Sequence, residues 1–378
     1  METGPPPFEL AQLGPAIRWW MWIAFALLLI IARFMPSSLP RRTVGVVVCG
    51  SIALAGVCLH RFVTTLDANP SIERKGTFDP LIAELARTYQ RERPTLLVIG
   101  SSRSTLGLDG AALEQQLDAR LRRDVQVLQF SSPGQYALEQ LYTTRKLLDR
   151  LRPERLTVLV ELGTEIDLGV PDALTSTRRG IEFFDARVFM VNLRMWRSAR
   201  AGNADHPAYT YRLLLRALAH TAQRHLGVGL LFDIGPPAPP GSEKGFAPNK
   251  AVPPASVIQD VRDALAKSAT TISQPSDQDE LVAMVRTELA EDLADLVPER
   301  VELLFFFPPT AGPHMRAAAP RACAAVAKLG ACLYMSDEEV RTHLPVDRWM
   351  DVGHLSPSGA ASFTDWLAAR LAEKLADR

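Results

Sequence analysis

The chain has no excess of charge: 42 Lys and Arg are matched by 42 Asp and Glu across 378 residues. Holding nucleic acid requires a basic face or stripe, and no RNP, zinc-finger or Arg-rich signature supplies one, so no nucleic acid is expected as a partner. The sequence also lacks HExxH, a paired CxxC, a P-loop and GxGxxG, the short patterns that announce metal or nucleotide sites. No metal and no cofactor is therefore expected. Cysteine is scarce, with four residues. Cys49 and Cys58 fall in an apolar run, where a thiol serves as a small apolar side chain. Cys323 and Cys332 lie far downstream, and two readings stay open: a bridge in an oxidising compartment, or two buried thiols. No internal repeat is present.

Apolar residues make up 47% of the chain, enough for a substantial core and too many for wholesale disorder. The length fits one large α/β domain with appendages. The apolar residues are concentrated at the N-terminal end. Ala16 to Phe34 is almost entirely apolar, with Arg18 and Arg33 at its edges and Trp19, Trp20 and Trp22 together. This is about the length that spans a bilayer, with Trp at one interface and Arg33 able to snorkel. A second run, Val44 to Leu59, reaches span length with help from Thr43 and His60 to Val63. The expectation is a membrane anchor over residues 1–66 with transmembrane helices at about 16–35 and 43–63; a buried hairpin of soluble helices is the alternative. No small-x-small site directly follows the first run, which argues against a cleaved signal peptide. Arg33, Arg41 and Arg42 surround the loop between the two runs, so the positive-inside rule puts that loop in the cytoplasm and the large domain outside. Arg61, Arg74 and Lys75 pull the other way.

Residues 67–94 form a linker and lead-in helix (Pro80 to Arg91). From residue 95 to 378, strand and helix signals alternate. Strands are expected at Leu96–Ile99, Val125–Phe130, Leu156–Leu162, Val301–Phe307 and Ala331–Met335. Helices are expected from Asp109 through Arg122, from Pro133-Gly134 to Leu151, near Met315–Leu329, and from the cap Ser356-Pro357 to Ala376. This alternation implies an α/β fold with a five-stranded parallel sheet and right-handed crossovers. The stretch at about 170–300 is too long for a loop. It carries helical patterns at Tyr209–His225, Val257–Ala269 and Asp277–Leu296 and a Pro-rich strap from Gly235 to Pro254, and reads as a cap or partner-docking insertion.

Two segments carry chemistry. Thr95-Leu-Leu-Val-Ile-Gly100-Ser-Ser-Arg-Ser104 is an apolar strand that ends in Gly and three hydroxyls. Asp351-Val-Gly-His354-Leu-Ser-Pro-Ser-Gly359 is a loop feeding the last helix, where an Asp three residues ahead of a His can fold back onto Nδ1 and leave Nε2 free as a base. A strand-tip Ser with a downstream Asp and His makes up a nucleophilic triad. Each part alone has a plainer reading, Ser102 as a turn residue and Asp-x-x-His as a chance pair. Their joint placement after parallel strands, on the rim where such sheets bind ligands, is what ties them together. Arg103 is a candidate for a substrate carboxylate or phosphate, or a plain surface residue. His314, after the fourth strand, either borders the pocket or starts a surface helix.

With Gly100-Ser101-Ser102 as a first block and Asp351-x-x-His354 as a last, the chain resembles the SGNH (GDSL-like) hydrolase superfamily, and within it the membrane-anchored envelope acyltransferases and acyl esterases. Ser101 stands where that family has Asp. The resemblance covers about Thr95–Leu168 and Val301–Ala376. It implies a flavodoxin-like three-layer α/β/α fold, Ser102 as nucleophile, His354 as base and Asp351 as its orienting partner. It also implies an oxyanion hole from the backbone N–H groups of Ser102 and Gly134 and a side chain after the third strand. There the family has Gly-x-Asn and this chain has Gly163-Thr164-Glu165. An ionised Glu165 repels an oxyanion, so either it is protonated, or Thr164 or Gln135 donates instead, or the site is degraded. The implied function is a serine acyl esterase or O-acyltransferase outside the cytoplasm, with an acyl donor, a carbohydrate acceptor and a membrane acyltransferase as partners. The alternative is a catalytically silent scaffold that binds envelope glycan.

Overall fold

The computed structural model describes residues 79–132, 135, 137–153, 156–162, 252–269 and 301–376, with scattered helical positions at 43–50, 189–218 and 291–294. Two compact units divide the chain: residues 1–80, 170–192 and 211–239 in one, and 81–169, 193–210 and 240–378 in the other. The second unit holds a five-stranded sheet, all of it parallel: β1 (Thr95–Gly100), β2 (Gln126–Ser131), β3 (Leu156–Glu161), β4 (Val301–Phe307) and β5 (Cys332–Tyr334). The strand order is β2-β1-β3-β4-β5. Gly100 pairs with Ser131 and Val160 with Phe305, so the carboxyl ends of the strands share one edge.

The strands are near-continuous apolar runs because both faces are covered. Leu96 and Val98 of β1 join Leu159, Leu304 and Phe306 in one core with residues of α3 (Gly110–Leu121), α5 (Ala255–Ala266) and α8 (Pro357–Leu375). Leu97 and Ile99 alternate to the other face and are equally inaccessible. On β1 and β4 also rest α4 (Ala137–Leu151) and α6 (Pro313–Val326). Each fully buried Leu contributes roughly 2 kcal/mol through removal of its surface from water. The remaining described helices are α1 (Asp79–Thr88), α2 (Ser102–Gly107) and α7 (Asp337–His343).

Local chemistry sets the helix ends. The Asp109 carboxylate accepts from the N–H groups of Ala111 and Ala112 at 3.0 and 3.1 Å and starts α3; Arg122, in the left-handed region at φ 52°, ends it. Ser356 accepts from Gly359 N–H with Pro357 at the first helical position, which starts α8. The lead-in helix stops at Thr88 rather than Arg91, because the Gln126 side chain accepts from Gln90 N–H at 2.9 Å. Helix α6 stops at Val326 rather than Leu329. Gly330 then passes so close to Leu303 that a Cβ there would lie 2.1 Å from its carbonyl oxygen, which brings the chain straight into β5. The expected helix at Val257–Ala269 begins and ends earlier, at Ala255 and Ala266. Cys323 of α6 and Cys332 of β5 are joined by a disulfide, with Cα atoms 5.3 Å apart.

The two expected transmembrane runs at 16–35 and 43–63 lie outside the described residues apart from Thr43, Gly45 and Gly50. Among the described residues no helix is long and apolar enough to cross a membrane. The Pro-rich strap, apart from residues 252–254, and the helices expected at Tyr209–His225 and Asp277–Leu296, apart from single helical positions, also lie outside them.

Candidate active site

At Gly100 the chain leaves β1 and turns directly into α2. Ser101 is the N-cap, with extended backbone (φ −94°, ψ −161°) and a hydroxyl that accepts from Arg103 N–H at 3.3 Å. Ser102 is thus the first helical residue, half-buried at the rim with its side chain free of capping duty. The turn is held from below by Glu161, the last residue of β3. Its carboxylate accepts from Ser101 N–H at 2.8 Å, from the Ser101 hydroxyl, and from the Ser104 hydroxyl at 2.5 Å. Position 100 must be glycine for this approach: a Cβ would stand 2.2 Å from Ser104 Oγ and 2.8 Å from Glu161 Oε2.

The second half of the site is a narrow loop closed by its own backbone. Trp349 and Leu355 form an antiparallel bridge, and Met350 N–H donates to His354 O at 2.9 Å. Inside the loop, Asp351 Oδ1 accepts from Gly353 N–H at 2.7 Å and His354 N–H at 2.8 Å, an Asx turn. The same carboxylate meets His354 Nδ1 at 2.9 Å from Oδ2 and 3.0 Å from Oδ1. The loop is clamped from outside at Val352, whose carbonyl accepts from Ala311 N–H and the Thr310 hydroxyl, both at 2.9 Å. Below it the Trp349 ring is buried and its indole N–H donates to Leu344 O at 2.8 Å.

The halves meet between Ser102 Oγ and His354 Nε2, 3.0 Å apart. Shared packing sets that distance. Gly107, at the end of α2, faces the side chain of Leu355, the residue after His354, and Asp109 N–H donates to Thr364 Oγ1 of α8 at 3.1 Å. Burial pushes the Asp351 carboxyl up, but the His354 ring, the Gly353 N–H, the His354 charge and the His354 backbone N–H outweigh it and hold the group below the usual Asp value. With Nδ1–H aimed at a carboxylate, Nε2 presents a lone pair to the Ser102 hydroxyl. A hydroxyl, an acceptor imidazole and an orienting carboxylate in series can activate an oxygen nucleophile.

Ser102, Asp351 and His354 are therefore brought together. Ser101 and Ser104 point at Glu161 instead, which fixes Ser102 as the hydroxyl that faces the imidazole. Arg103 is half-buried beside it on α2. His314 is exposed on the first turn of α6; no hydrogen bond links it to the triad, so the structure does not join it to the site. Gly134, Thr164 and Glu165 lie outside the described residues. Gln135 is buried and its amide nitrogen donates to Thr143 Oγ1 at 2.9 Å, which commits it to α4. Among the described residues no cluster of His, Cys, Asp and Glu suits a metal ion. A cleft of about 460 Å³ lined by Thr95, Leu156, Arg123, Glu302 and Leu375 opens at the amino ends of the strands, away from the triad.

Three residues of the site region escape sequence reasoning. For Glu161 the one signal in the sequence is a lone carboxylate at the end of an apolar strand, which does not tell what it meets. Thr310 had only its place after β4. Arg316 carried no signal; it is buried and donates to Ala311 O, to Ala264 O at 3.3 Å and to Lys267 O at 2.5 Å, and it pairs with Asp337 at 2.5 Å. It thereby ties the end of α5 to the loop that clamps Val352.

No protein-family model matches this chain, and no curated protein does either. The chemical reading therefore rests on the geometry and on the motifs that predicted it.

Proposed function

We propose that this chain is an SGNH-type serine acyl esterase or O-acyltransferase, membrane-anchored, with its α/β domain outside the cytoplasm and an envelope carbohydrate as its substrate. The observation that carries the reading is the relay from Ser102 Oγ to His354 Nε2 at 3.0 Å and from His354 Nδ1 to Asp351 at 2.9 Å. The strand order 2-1-3-4-5 supports a flavodoxin-like three-layer fold, whose ligands bind at the carboxyl ends of β1 and β3, where the order reverses. Ser102 sits at that point.

In the proposed reaction, His354 Nε2 takes the Ser102 proton as Oγ attacks an acyl carbonyl. The Ser102 N–H, free of any intrahelical partner at the first helical position, and the Gly134 N–H stabilise the oxyanion. His354 then gives its proton to the leaving oxygen, which departs and leaves an acyl-serine. A sugar hydroxyl or water enters, loses its proton to His354 and displaces Ser102, which recovers the proton. Asp351 stays ionised throughout and keeps Nδ1–H in place. Transfer is favoured over hydrolysis by two features of the sequence: a tether raises local concentration near a surface polymer, and an insertion at about 170–300 is suited to excluding water. A membrane acyltransferase partner is one source of the acyl donor. The Cys323–Cys332 bridge supports an oxidising compartment.

The test uses the purified full-length chain with a serine-reactive phosphonate and with an activated acetyl ester, with and without oligosaccharide acceptors. Wild type should label and Ser102→Ala should not, while Ser101→Ala should still label. Acetate release that acceptors divert into acetylated sugar marks a transferase; release that nothing diverts marks an esterase. No labelling and no turnover would sink the enzymatic reading in favour of a silent glycan-binding scaffold.

A further inference from the structure

We infer that Glu161 is the positioning residue of this site: it sets the nucleophile by gripping the residues on both sides of Ser102, without touching Ser102 itself. The inference rests on the acyl-transfer reading for its chemistry and on separate observations for its geometry. Glu161 is about 1% exposed, and a buried carboxyl group is costly unless donors surround it. Three donors do, and all three belong to the four-residue turn 101–104: Ser101 N–H, the Ser101 hydroxyl and the Ser104 hydroxyl. No other partner of Glu161 is found among the described residues. A strand that only needed to end in the core would be served by an apolar residue, as Phe307 serves β4. The grip is also specific in shape. Oε2 accepts from Ser101 N–H and from Ser104, in the first turn of α2, while Oε1 takes the hydroxyl whose oxygen caps the helix through Arg103 N–H. The backbone of Ser102 is therefore held from its preceding peptide and from Ser104, two residues on in the same turn. Gly100 completes the device, since any side chain there would strike Ser104 Oγ and Glu161 Oε2.

An amide cannot reproduce this. Glu161→Gln keeps one acceptor oxygen and turns a donor toward the Ser101 hydroxyl, so the turn loosens while the Asp351–His354 pair is untouched. The expected result is a folded protein with a native circular dichroism spectrum whose phosphonate labelling rate falls about 10- to 100-fold through misplacement of the nucleophile. Ser104→Ala should show a smaller loss, because it removes one of the two contacts to Oε2 and leaves the Ser101 contacts in place. A folded Glu161→Gln that labels within twofold of wild type overturns the inference. A second readout is independent of activity: the ¹⁵N resonance of His354 Nε2, which Ser102→Ala should shift by removing the hydroxyl. Glu161→Gln must move that resonance in the same direction, and no movement also overturns the inference. If wild type fails to label but the resonance moves, the catalytic reading fails and the positioning role stands. If Glu161→Gln does not fold, the Ser104→Ala labelling rate decides alone: a rate equal to wild type overturns it.

Discussion

At the scale of single residues, the site depends on which atom carries the imidazole proton. Asp351 is half-exposed yet accepts two backbone N–H groups besides the ring, and its carboxyl is held below the usual range. It therefore remains a pure acceptor near neutral pH and pins Nδ1–H. Asn at this position can point an N–H at the ring, which then carries its proton on Nε2 and faces Ser102 with no lone pair. Asp351→Asn should lower kcat by on the order of a thousandfold or more with KM little changed, since only the transition-state interaction is lost. Steady-state kinetics on the activated acetyl ester check it; a loss confined to KM would mean that Asp351 binds substrate instead. The pair Asp351 and His354 was readable from the sequence because an Asx turn needs only local spacing. Glu161 was not. Its partners are 57 to 60 positions away, and no local pattern encodes a carboxylate that will meet a turn from a neighbouring strand.

At the scale of elements, the parallel strands were legible because burial on both faces writes itself as an uninterrupted apolar run, as in Leu96–Ile99 and Leu303–Phe307. Helix ends were legible where a cap sets them, as at Asp109 and Ser356, and blurred where tertiary contact does, as at Gly330 against Leu303. The insertion was legible as excess length between β3 and β4 and, in its described part, as the helical pattern that forms α5. One junction between elements has a pH signature of its own. Ser336 caps α7 through a reciprocal box with Glu339, and Glu339 also accepts from Trp366 Nε1 and Arg370 Nη2 of α8, both at 3.1 Å. Partial burial raises its carboxyl, but the Ser336 N–H, Trp366, the Ser336 hydroxyl and Arg370 together bring it down to about 2. A depressed carboxyl contributes stability that is fully present above its unfolded value and is lost as pH falls toward the folded one. The α7–α8 contact should therefore weaken between about pH 4.5 and 2. Melting temperature should fall over that interval in wild type and fall less steeply in Glu339→Gln, which starts lower at neutral pH. Parallel curves for the two proteins would show that Glu339 is not the group responsible.

At the scale of the whole molecule, the proposal makes compartment and covalent structure one question. Under the proposal, the basic residues around the loop between the two apolar runs would keep that loop in the cytoplasm, and two crossings would put residues 67–378 on the far side. There the Cys323–Cys332 bridge, which ties α6 to the edge strand β5, persists, whereas in a reducing cytosol it would not. It closes a loop of sequence separation 9, for which chain-entropy reasoning gives about 2 to 3 kcal/mol. Two measurements on cells test the arrangement together. A reporter active only outside the cytoplasm should work when fused after Arg378 and fail when placed at Ser37. A maleimide applied to the denatured, unreduced chain should leave Cys323 and Cys332 unmodified until a reductant is added. A reporter active at Ser37 and silent after Arg378, with both thiols free to react, would place the domain in the cytoplasm. The triad would survive that result, but an envelope carbohydrate would then be out of its reach.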